Sequence, residues 1–347
     1  MASRLQLAIV LFMATWTMAC SDGDQSKSDD TRTSVLPAKA ALNGVDLKEQ
    51  KDGPFSFFTV GHIYGEPGRQ FKRPAPSFVA GKPHLKALDP KFGVLLGDIF
   101  YLWKPKEMAA TLGHLAEFPF PIVNAVGNHD VVVRDKWSSK FGPTYFAFSY
   151  ANSRFVILDT EIDPWNISGE QLEFFKNEME LCEGPNKPKN LFIFVHKVVW
   201  AGTKETIVCA YGCNSPESLG IYVEKPDSWP TFNRQIRPRL REISKSVPTY
   251  FFGGDLGAFS AVIHLFQQED TKIPGTQLTY LGAGIGDRDR DAVIVVDVDA
   301  KGKATLSGME LKTGKKVDLT PYDSAYWVPK FFKDNEIPEV ILPYLEK

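Results

Sequence analysis

Several short stretches of the sequence carry side chains that can bind a divalent metal ion. Each stretch directly follows an apolar run, and several follow a glycine, which lets the backbone turn sharply and approach a site. Carboxylate, imidazole and amide oxygen together suit a hard to borderline divalent ion. A bound ion of this kind can polarise oxygens and activate a water molecule. The residues are His62, Asp98, Asn128, His129, Asp130, His196 and Asp255.

These residues stand at the ends of predicted β-strands. Each run is short and almost continuously apolar, as expected of a strand that is buried on both faces. Ligands in open α/β sheets bind at the carboxyl ends of the strands, so the sequence predicts one shared site. The strand-like runs end at Val60, Leu96, Val126, Leu158, Val195 and Phe252.

Helical signals lie between these runs, and the last part of the chain is purely β. Residues 168–171 (Ser-Gly-Glu-Gln) form a capping-box pattern, and residues 106–117 are a second candidate helix. Residues 277–311 read as strands joined by turns. We therefore predict an α/β fold, a four-layer α/β/β/α sandwich with the sheets inside and the helices outside.

The ordered motifs resemble those of the calcineurin-like metallophosphoesterase superfamily. Gly97-Asp98 and Gly127-Asn-His-Asp130 match two of its motifs, and their spacing suits the family. His196 matches the family's lone histidine after a strand. The stretch Gly97-Asp98-Ile-Phe-Tyr101 also resembles the Gly-Asp-x-x-Tyr of purple acid phosphatases. The resemblance spans residues 55–311 and implies metal-dependent hydrolysis of phosphate esters.

Two motifs depart from the family pattern. Where the family has Gly-Asp-x-His, this chain has Gly61-His-Ile-Tyr64. Where the family has Gly-His-x-His, this chain has Gly254-Asp-Leu-Gly257. His62 therefore stands where the family has aspartate, and Asp255 stands where the family has histidine. Tyr64 and Gly257 replace two further histidines of the family.

The resemblance implies two ion positions that share Asp98. Asn128, His196 and Asp255 would complete the first position, because aspartate in place of histidine keeps a ligand and changes only its charge. The second position would keep His62, and Tyr101 could add a ligand to it. We therefore expect one good metal site, for Mn, Fe or Zn, and one doubtful site.

The resemblance also implies catalytic roles for two residues. His129 would protonate the leaving oxygen or stabilise its charge, and Asp130 would orient the His129 ring, as carboxylates commonly do for imidazoles. Lys197 could contact an anion, although a solvated lysine is the more ordinary interpretation at that position.

The N-terminus is typical of a secreted or lipid-anchored protein. Residues 1–19 combine a positive charge at Arg4 with a short apolar run, as in a signal peptide. Thr17-Met-Ala-Cys20 resembles a bacterial lipobox, although an ordinary cleaved signal remains the alternative. We expect residues 20–52 to form a flexible tether, residues 53–315 the metallophosphoesterase-like domain and residues 316–347 a packed C-terminal extension.

Composition narrows the possible partners. The 347 residues carry a formal net charge of −2, so no nucleic-acid partner is expected. An anionic substrate would therefore have to be attracted by a bound cation. Cys209 and Cys213 could close a small disulfide loop, and Cys182 could compete for either of them.

These observations favour a metal-dependent phosphoesterase in the bacterial cell envelope. It would face the periplasm or the exterior, be held at the membrane by a lipid anchor, and act on a small or envelope-derived phosphate mono- or diester. A secreted soluble form is the alternative location. The alternative functions are an envelope or polysaccharide hydrolase on the same scaffold and a non-catalytic ligand-binding lipoprotein with a degenerate site.

Overall fold

The computed structural model describes residues 36–68, 74–215, 231–339 and 342. The predicted signal peptide, the lipobox cysteine and the polar run after it lie outside these residues. None of the helices in the described ranges is both long and apolar enough to cross a membrane.

Twelve strands are described, in two six-stranded sheets. The first sheet has the order β12-β11-β10-β1-β2-β3, and the second has the order β4-β5-β6-β7-β9-β8. Neighbours are parallel from β1 to β3 and again from β5 through β6 and β7 to β9. The strands are β1 (Phe55–Val60), β2 (Phe92–Leu95), β3 (Ile122–Asn124), β4 (Phe146–Tyr150), β5 (Ser153–Ile157), β6 (Asn190–Val195), β7 (Thr249–Gly253), β8 (Leu265–Glu269), β9 (Leu278–Ala283), β10 (Ala292–Val298), β11 (Ala304–Glu310) and β12 (Lys316–Val317).

Helices connect the strands. The described helices are α1 (Pro76–Ala87), α2 (Pro105–Leu115), α3 (Arg134–Phe141), α4 (Gly169–Glu180), α5 (Val208–Tyr211), α6 (Arg237–Ser244) and α7 (Ser324–Phe331), with a π-helical turn at Phe232–Ile236 and a 3₁₀ turn at Lys333–Asn335. The α2 segment covers most of the predicted helix over residues 106–117, and α4 begins inside the capping-box pattern.

Three apolar layers hold the two sheets and the helices together. Along β1, Phe57 packs between the sheets, where its ring lies 5.3 Å from that of Phe92. Phe58 and Val60 belong to the layer that includes residues of α1, α2 and α3. A third layer joins the second sheet to α4 and α6. This succession is the predicted four-layer α/β/β/α sandwich.

Segments beside both predicted domain boundaries are packed against the rest of the described chain. Leu42 is buried, and the Asn43 amide bonds to backbone groups of Phe120 and Ile122 at 2.9 and 3.1 Å. The predicted flexible tether therefore does not extend to residue 52. At the other end β12 pairs with β11, so the boundary drawn at residue 315 falls inside a hairpin.

The C-terminal segment is attached through a buried indole. Trp327 is 4% exposed and donates Nε1–H to the Leu265 carbonyl at 3.0 Å. We expect Trp327→Ala to lower the free energy of unfolding by about 3–5 kcal/mol, because it removes a large buried ring. Urea unfolding measures this. Tyr326→Ala, at a neighbouring ring that is 41% exposed, should cost about 1 kcal/mol or less, and equal losses for both variants would contradict the argument.

The cysteines in the described residues form no disulfide. Cys182, Cys209 and Cys213 are buried thiols, and Cys213 Sγ donates to the Ala210 carbonyl at 3.4 Å. The possible Cys209–Cys213 loop is therefore not formed in this structure.

Candidate active site

The carboxyl ends of the parallel strands of both sheets meet at one place. The Gly61 N–H, after β1, donates to the Ala283 carbonyl of β9 at 2.9 Å. His196, after β6, contacts the Leu96 carbonyl, after β2, through Nδ1 at 2.8 Å. A Cβ on Gly97 would lie 2.5 Å from His196 Nδ1, so only glycine allows this approach. The predicted strand-end residues are thereby brought together.

Asp98 lies at the centre of the cluster. It is 2% exposed, and its φ of +55° places a non-glycine residue in the left-handed region. Its Oδ1 accepts the His129 backbone N–H at 3.1 Å and lies 3.6 Å from His196 Nε2, while Oδ2 lies 3.2 Å from His62 Nε2. Burial alone would raise the pKa of Asp98, but His196 and His62 hold it well below its usual range.

Both histidines are oriented by backbone carbonyls. His62 Nδ1 lies 3.0 Å from the Gly65 carbonyl, and His196 Nδ1 makes the contact with Leu96. Because a carbonyl only accepts, each Nδ1 carries a proton and each Nε2 is directed at Asp98. Metal-binding imidazoles are commonly fixed in this way through their second nitrogen. His196 Nε2 is buried and has no hydrogen-bond partner.

Tyr64 adds a third polar atom beside His62 and Asp98. Its hydroxyl lies 3.3 Å from His62 Nε2 and 3.4 Å from Asp98 Oδ2. With the 3.2 Å contact between those two atoms, the three donors form a nearly equilateral triangle. The hydroxyl proton can serve only one of the two contacts that Tyr64 makes, and both are long for a hydrogen bond from a hydroxyl. Burial and the charge of Asp98 raise the pKa of Tyr64 far above its usual value.

Lys197 occupies the other side of the cluster. It is only 5% exposed, and its Nζ donates to Asn128 Oδ1 at 3.0 Å, Asp255 Oδ2 at 3.1 Å and Ser215 Oγ at 2.7 Å. The ammonium also lies 5.2 Å from the centre of the Trp165 ring. The expectation of a solvated lysine is therefore wrong, because the ammonium is buried and its N–H groups are bound by acceptors of the protein.

The charges on this side balance one another. Burial opposes ionisation of Asp255, but Lys197 and His196 bring its pKa below the usual range. Burial would likewise lower the pKa of Lys197, but Asp255 and Glu161 raise it above the ordinary lysine value. Glu161 is nearby, and burial raises its pKa to about 8, so it is largely protonated at neutral pH.

His129 lies at the partly exposed edge of the cluster. Its Nδ1 donates to the Tyr101 carbonyl at 2.9 Å, which leaves Nε2 as the nitrogen available to a substrate. The Tyr101 ring stacks on the His129 imidazole at 5.6 Å and lies 5.3 Å from the Tyr64 ring. Tyr101, a candidate metal ligand from the sequence, thus positions His129 in the structure.

Asp130 makes different contacts from those expected. Its two oxygens accept backbone N–H groups from residues 98–100 and from Gly127, together with the Asn124 amide, at 2.9–3.2 Å. All five donors bond to the Asp130 carboxylate, which therefore holds together the loops after β2 and β3. Orientation of the His129 ring falls to the Tyr101 carbonyl instead. Burial and Asp98 raise the pKa of Asp130 to about 6, so it is ionised at neutral pH.

The two implied ion positions differ in how well they suit a metal. Among the described residues, no three His, Cys, Asp or Glu side chains form a metal-binding group. At the first position the Lys197 ammonium contacts Asn128 and Asp255, so these residues do not fit an ion there. At the second, the donor atoms of His62, Asp98 and Tyr64 lie 3.2–3.4 Å apart, at the lower end of the about 3.3–3.6 Å that a tetrahedral ion with bonds of about 2.0–2.2 Å requires. These residues fit one ion.

Three residues have contacts in the structure that the sequence does not predict. From the sequence, Tyr64 replaces a family histidine, Lys197 is a possible anion contact or a solvated lysine, and Glu161 belongs to no motif. The burial of Lys197 could have been predicted from the sequence. Lys197 follows the end of β6 and Asp255 follows the end of the neighbouring strand β7, so their opposite charges favour an ion pair. No comparable signal marks Glu161, because its burial depends on how the loop after β5 folds over the site.

Solved structures that are similar to this chain have low sequence identity to it. Purple acid phosphatase PPD1 from yellow lupin (Lupinus luteus) seeds matches with a TM-score of 0.53 and 11% identity, over 78% of this chain and 54% of its own. This chain thus spans about half the length of that enzyme. PhoD matches with a TM-score of 0.48 and 11% identity, over 79% of this chain and 73% of its own. No family model and no curated protein sequence matches the chain.

The match to the purple acid phosphatase confirms the predicted fold class. Two mixed six-stranded sheets with helices on their outer faces make up a metallophosphoesterase-like architecture.

Proposed function

We propose that this chain is a hydrolase of phosphate mono- or diesters that uses a bound metal ion. The observation that carries the proposal is the pair of carbonyl-fixed imidazoles, His62 and His196, directed at opposite oxygens of Asp98. His129 stands beside this group at the exposed edge. The shared fold with a phosphatase supports the reaction class.

One ion, of Mn, Fe or Zn, would be held by His62, Asp98 and Tyr64. When bound, such an ion supplies positive charge to a phosphoryl oxygen and lowers the pKa of water toward neutrality. The protein contributes the fixed orientation of the donors: His62 is held by the Gly65 carbonyl, and Asp98 is held by the backbone around it. The near-neutral net charge of the chain makes this cation the main attraction for an anionic ester.

His129 would act as the general acid. Its Nδ1–H is committed to the Tyr101 carbonyl, so a proton on Nε2 can pass to the leaving oxygen as the ester bond breaks. Stacking against Tyr101 and the edge contact with Tyr64 fix the plane of the ring. Asp130 supports this arrangement indirectly, because it accepts backbone N–H groups of residues 98–100, directly before Tyr101.

The experiment is a substrate panel run on purified, metal-supplemented protein with measured metal content. The panel contains aryl and alkyl phosphate mono- and diesters, carboxylate esters and glycosides. Hydrolysis of phosphate esters that stops with a chelator and returns with Mn²⁺ or Zn²⁺ is expected. Folded, metal-loaded protein that cleaves none of the phosphate esters would refute the proposal, and cleavage of glycosides or carboxylate esters alone would favour the envelope or polysaccharide hydrolase.

Tyr64→Phe is expected to weaken metal binding by about tenfold or more, since it removes one of three donors and keeps the ring. Titration calorimetry with Zn²⁺ or Mn²⁺ measures the affinity directly. Tyr326→Phe, on the exposed face of α7, is the matched control and should bind like the wild type. Unchanged affinity in Tyr64→Phe would show that the hydroxyl is not a ligand.

A second candidate function is favoured by Lys197. The Lys197 ammonium occupies one of the two implied ion positions. A protein that binds a ligand without catalysis could keep such an ammonium, because it does not need a metal ion there. Such a protein would hold phosphate esters without turnover, so equilibrium binding of an aryl phosphate that is never hydrolysed would distinguish it from the hydrolase.

We also propose that the chain is anchored by a lipid on Cys20 in the bacterial cell envelope and acts on an envelope-derived phosphate ester. The support is the lipobox-like sequence followed by a polar run without aliphatic or aromatic residues. Cys20→Ser should move the protein from the membrane fraction to the soluble fraction. Equal partitioning of both forms would favour a secreted soluble protein.

A further inference from the structure

The surroundings of Lys197 differ from those of a substrate-binding lysine. An ammonium has three N–H groups, and here all three have acceptors, in Asn128, Asp255 and Ser215. The side chain is almost fully buried and lies against the Trp165 ring. No N–H group of the ammonium is left to bind a phosphate. Its positive charge therefore interacts with side chains of the protein.

The position of this charge is informative. Asp255 directs Oδ2 at Lys197 and Oδ1 toward His196 Nε2, at 3.8 Å, and His196 Nε2 in turn lies 3.6 Å from Asp98 Oδ1. The ammonium therefore lies among the side chains that the sequence assigned to the first metal ion. Two cations cannot share these oxygens without strong repulsion at such short range.

The departures in sequence agree with this placement. Aspartate at position 255, where a neutral histidine is usual in the resembled family, adds one negative charge beside the one positive charge of Lys197. The two changes balance each other inside a buried site, where an unpaired charge is costly.

We propose that Lys197 is a built-in cation that takes the place of the first metal ion, so that the centre binds one ion and not two. The ammonium keeps Asn128 and Asp255 in a metal-like arrangement, and the exchangeable ion is confined to the side of Asp98 that faces His62 and Tyr64. This inference concerns the cation content of the site and stands whether or not the bound ion supports hydrolysis.

The test is the number of metal ions per chain, measured by elemental analysis and calorimetry with Mn²⁺ and Zn²⁺ on full-length protein. We expect one ion in the wild type and two in Lys197→Ala, since the variant frees Asn128, His196 and Asp255. The thermal midpoint of Lys197→Ala should lie below that of the wild type in chelator and rise with added Mn²⁺ more than that of the wild type does. Lys176→Ala, which removes an exposed lysine paired with Glu173, is the control and should bind one ion.

A second variant keeps the test decisive if Lys197→Ala does not fold. The double variant Lys197→Ala/Asp255→His removes the ammonium and its counter-charge together, and it should also bind two ions. The proposal is overturned if the wild type binds two ions, or if the folded variants bind no more than the wild type. Loss of hydrolysis with these stoichiometries intact would count against the proposed function alone.

Discussion

His129→Ala is expected to lower kcat/KM for phosphate ester hydrolysis by about 10²–10⁴-fold, the usual contribution of a general acid. The loss should depend on the leaving group. An alkyl phosphate needs a proton on its departing oxygen, whereas an activated aryl phosphate leaves as a stable anion, so the variant should lose much more activity toward the alkyl ester. This difference separates an acid role from simple damage to the site.

The comparison requires that the metal site stay intact. The His129 ring does not belong to the His62, Asp98 and Tyr64 group, so metal content and the thermal midpoint should remain at wild-type values. His114→Ala is the control, because His114 is also partly buried but contacts Lys82 and Glu117 at a distant helix end. An equal loss for alkyl and aryl esters in His129→Ala would contradict the acid role.

The arrangement of strands and the convergence of the site were predictable from local sequence. Short apolar runs identify buried strands, and the residue after each run is held at the same sheet edge as its neighbours. This rule places His62, Asp98, His196 and Asp255 in one cluster, as the structure does. This rule needs no information about the direction of side chains, because parallel pairing alone places the carboxyl ends of neighbouring strands at the same edge of the sheet.

The contacts inside the cluster were not predictable in the same way. Whether Tyr64 points at Asp98 depends on the positive φ of His62, which an apolar pattern does not encode. Whether Lys197 is buried depends on Trp165 and Ser215, which come from loops distant in sequence. The resemblance implies that Asp130 orients its neighbour His129, yet three of the donors that Asp130 accepts are the N–H groups of residues 98–100, in a different loop.

Asp130 is expected to be a major stabilising residue of the site. Asp130→Ala would leave backbone N–H groups of the loops after β2 and β3 without their acceptor, in a place from which water is excluded. Each unsatisfied buried donor costs about 1–3 kcal/mol, and partial relaxation reduces the sum. We expect the free energy of unfolding to fall by about 3–5 kcal/mol, as for removal of one partner of a buried charged group.

Urea unfolding of the metal-free protein measures this loss without a contribution from bound ion. Asp135→Ala, at an exposed carboxylate in α3, is the matched control and should change stability by about 0.5 kcal/mol or less. Asp130→Asn should fall between them, because the amide keeps one acceptor oxygen and adds a donor where donors are already in excess. If Asp130→Ala were as stable as the control, the five contacts would not hold the loops, and the positions of Asp98 and of the Tyr101 carbonyl that fixes His129 would need another cause.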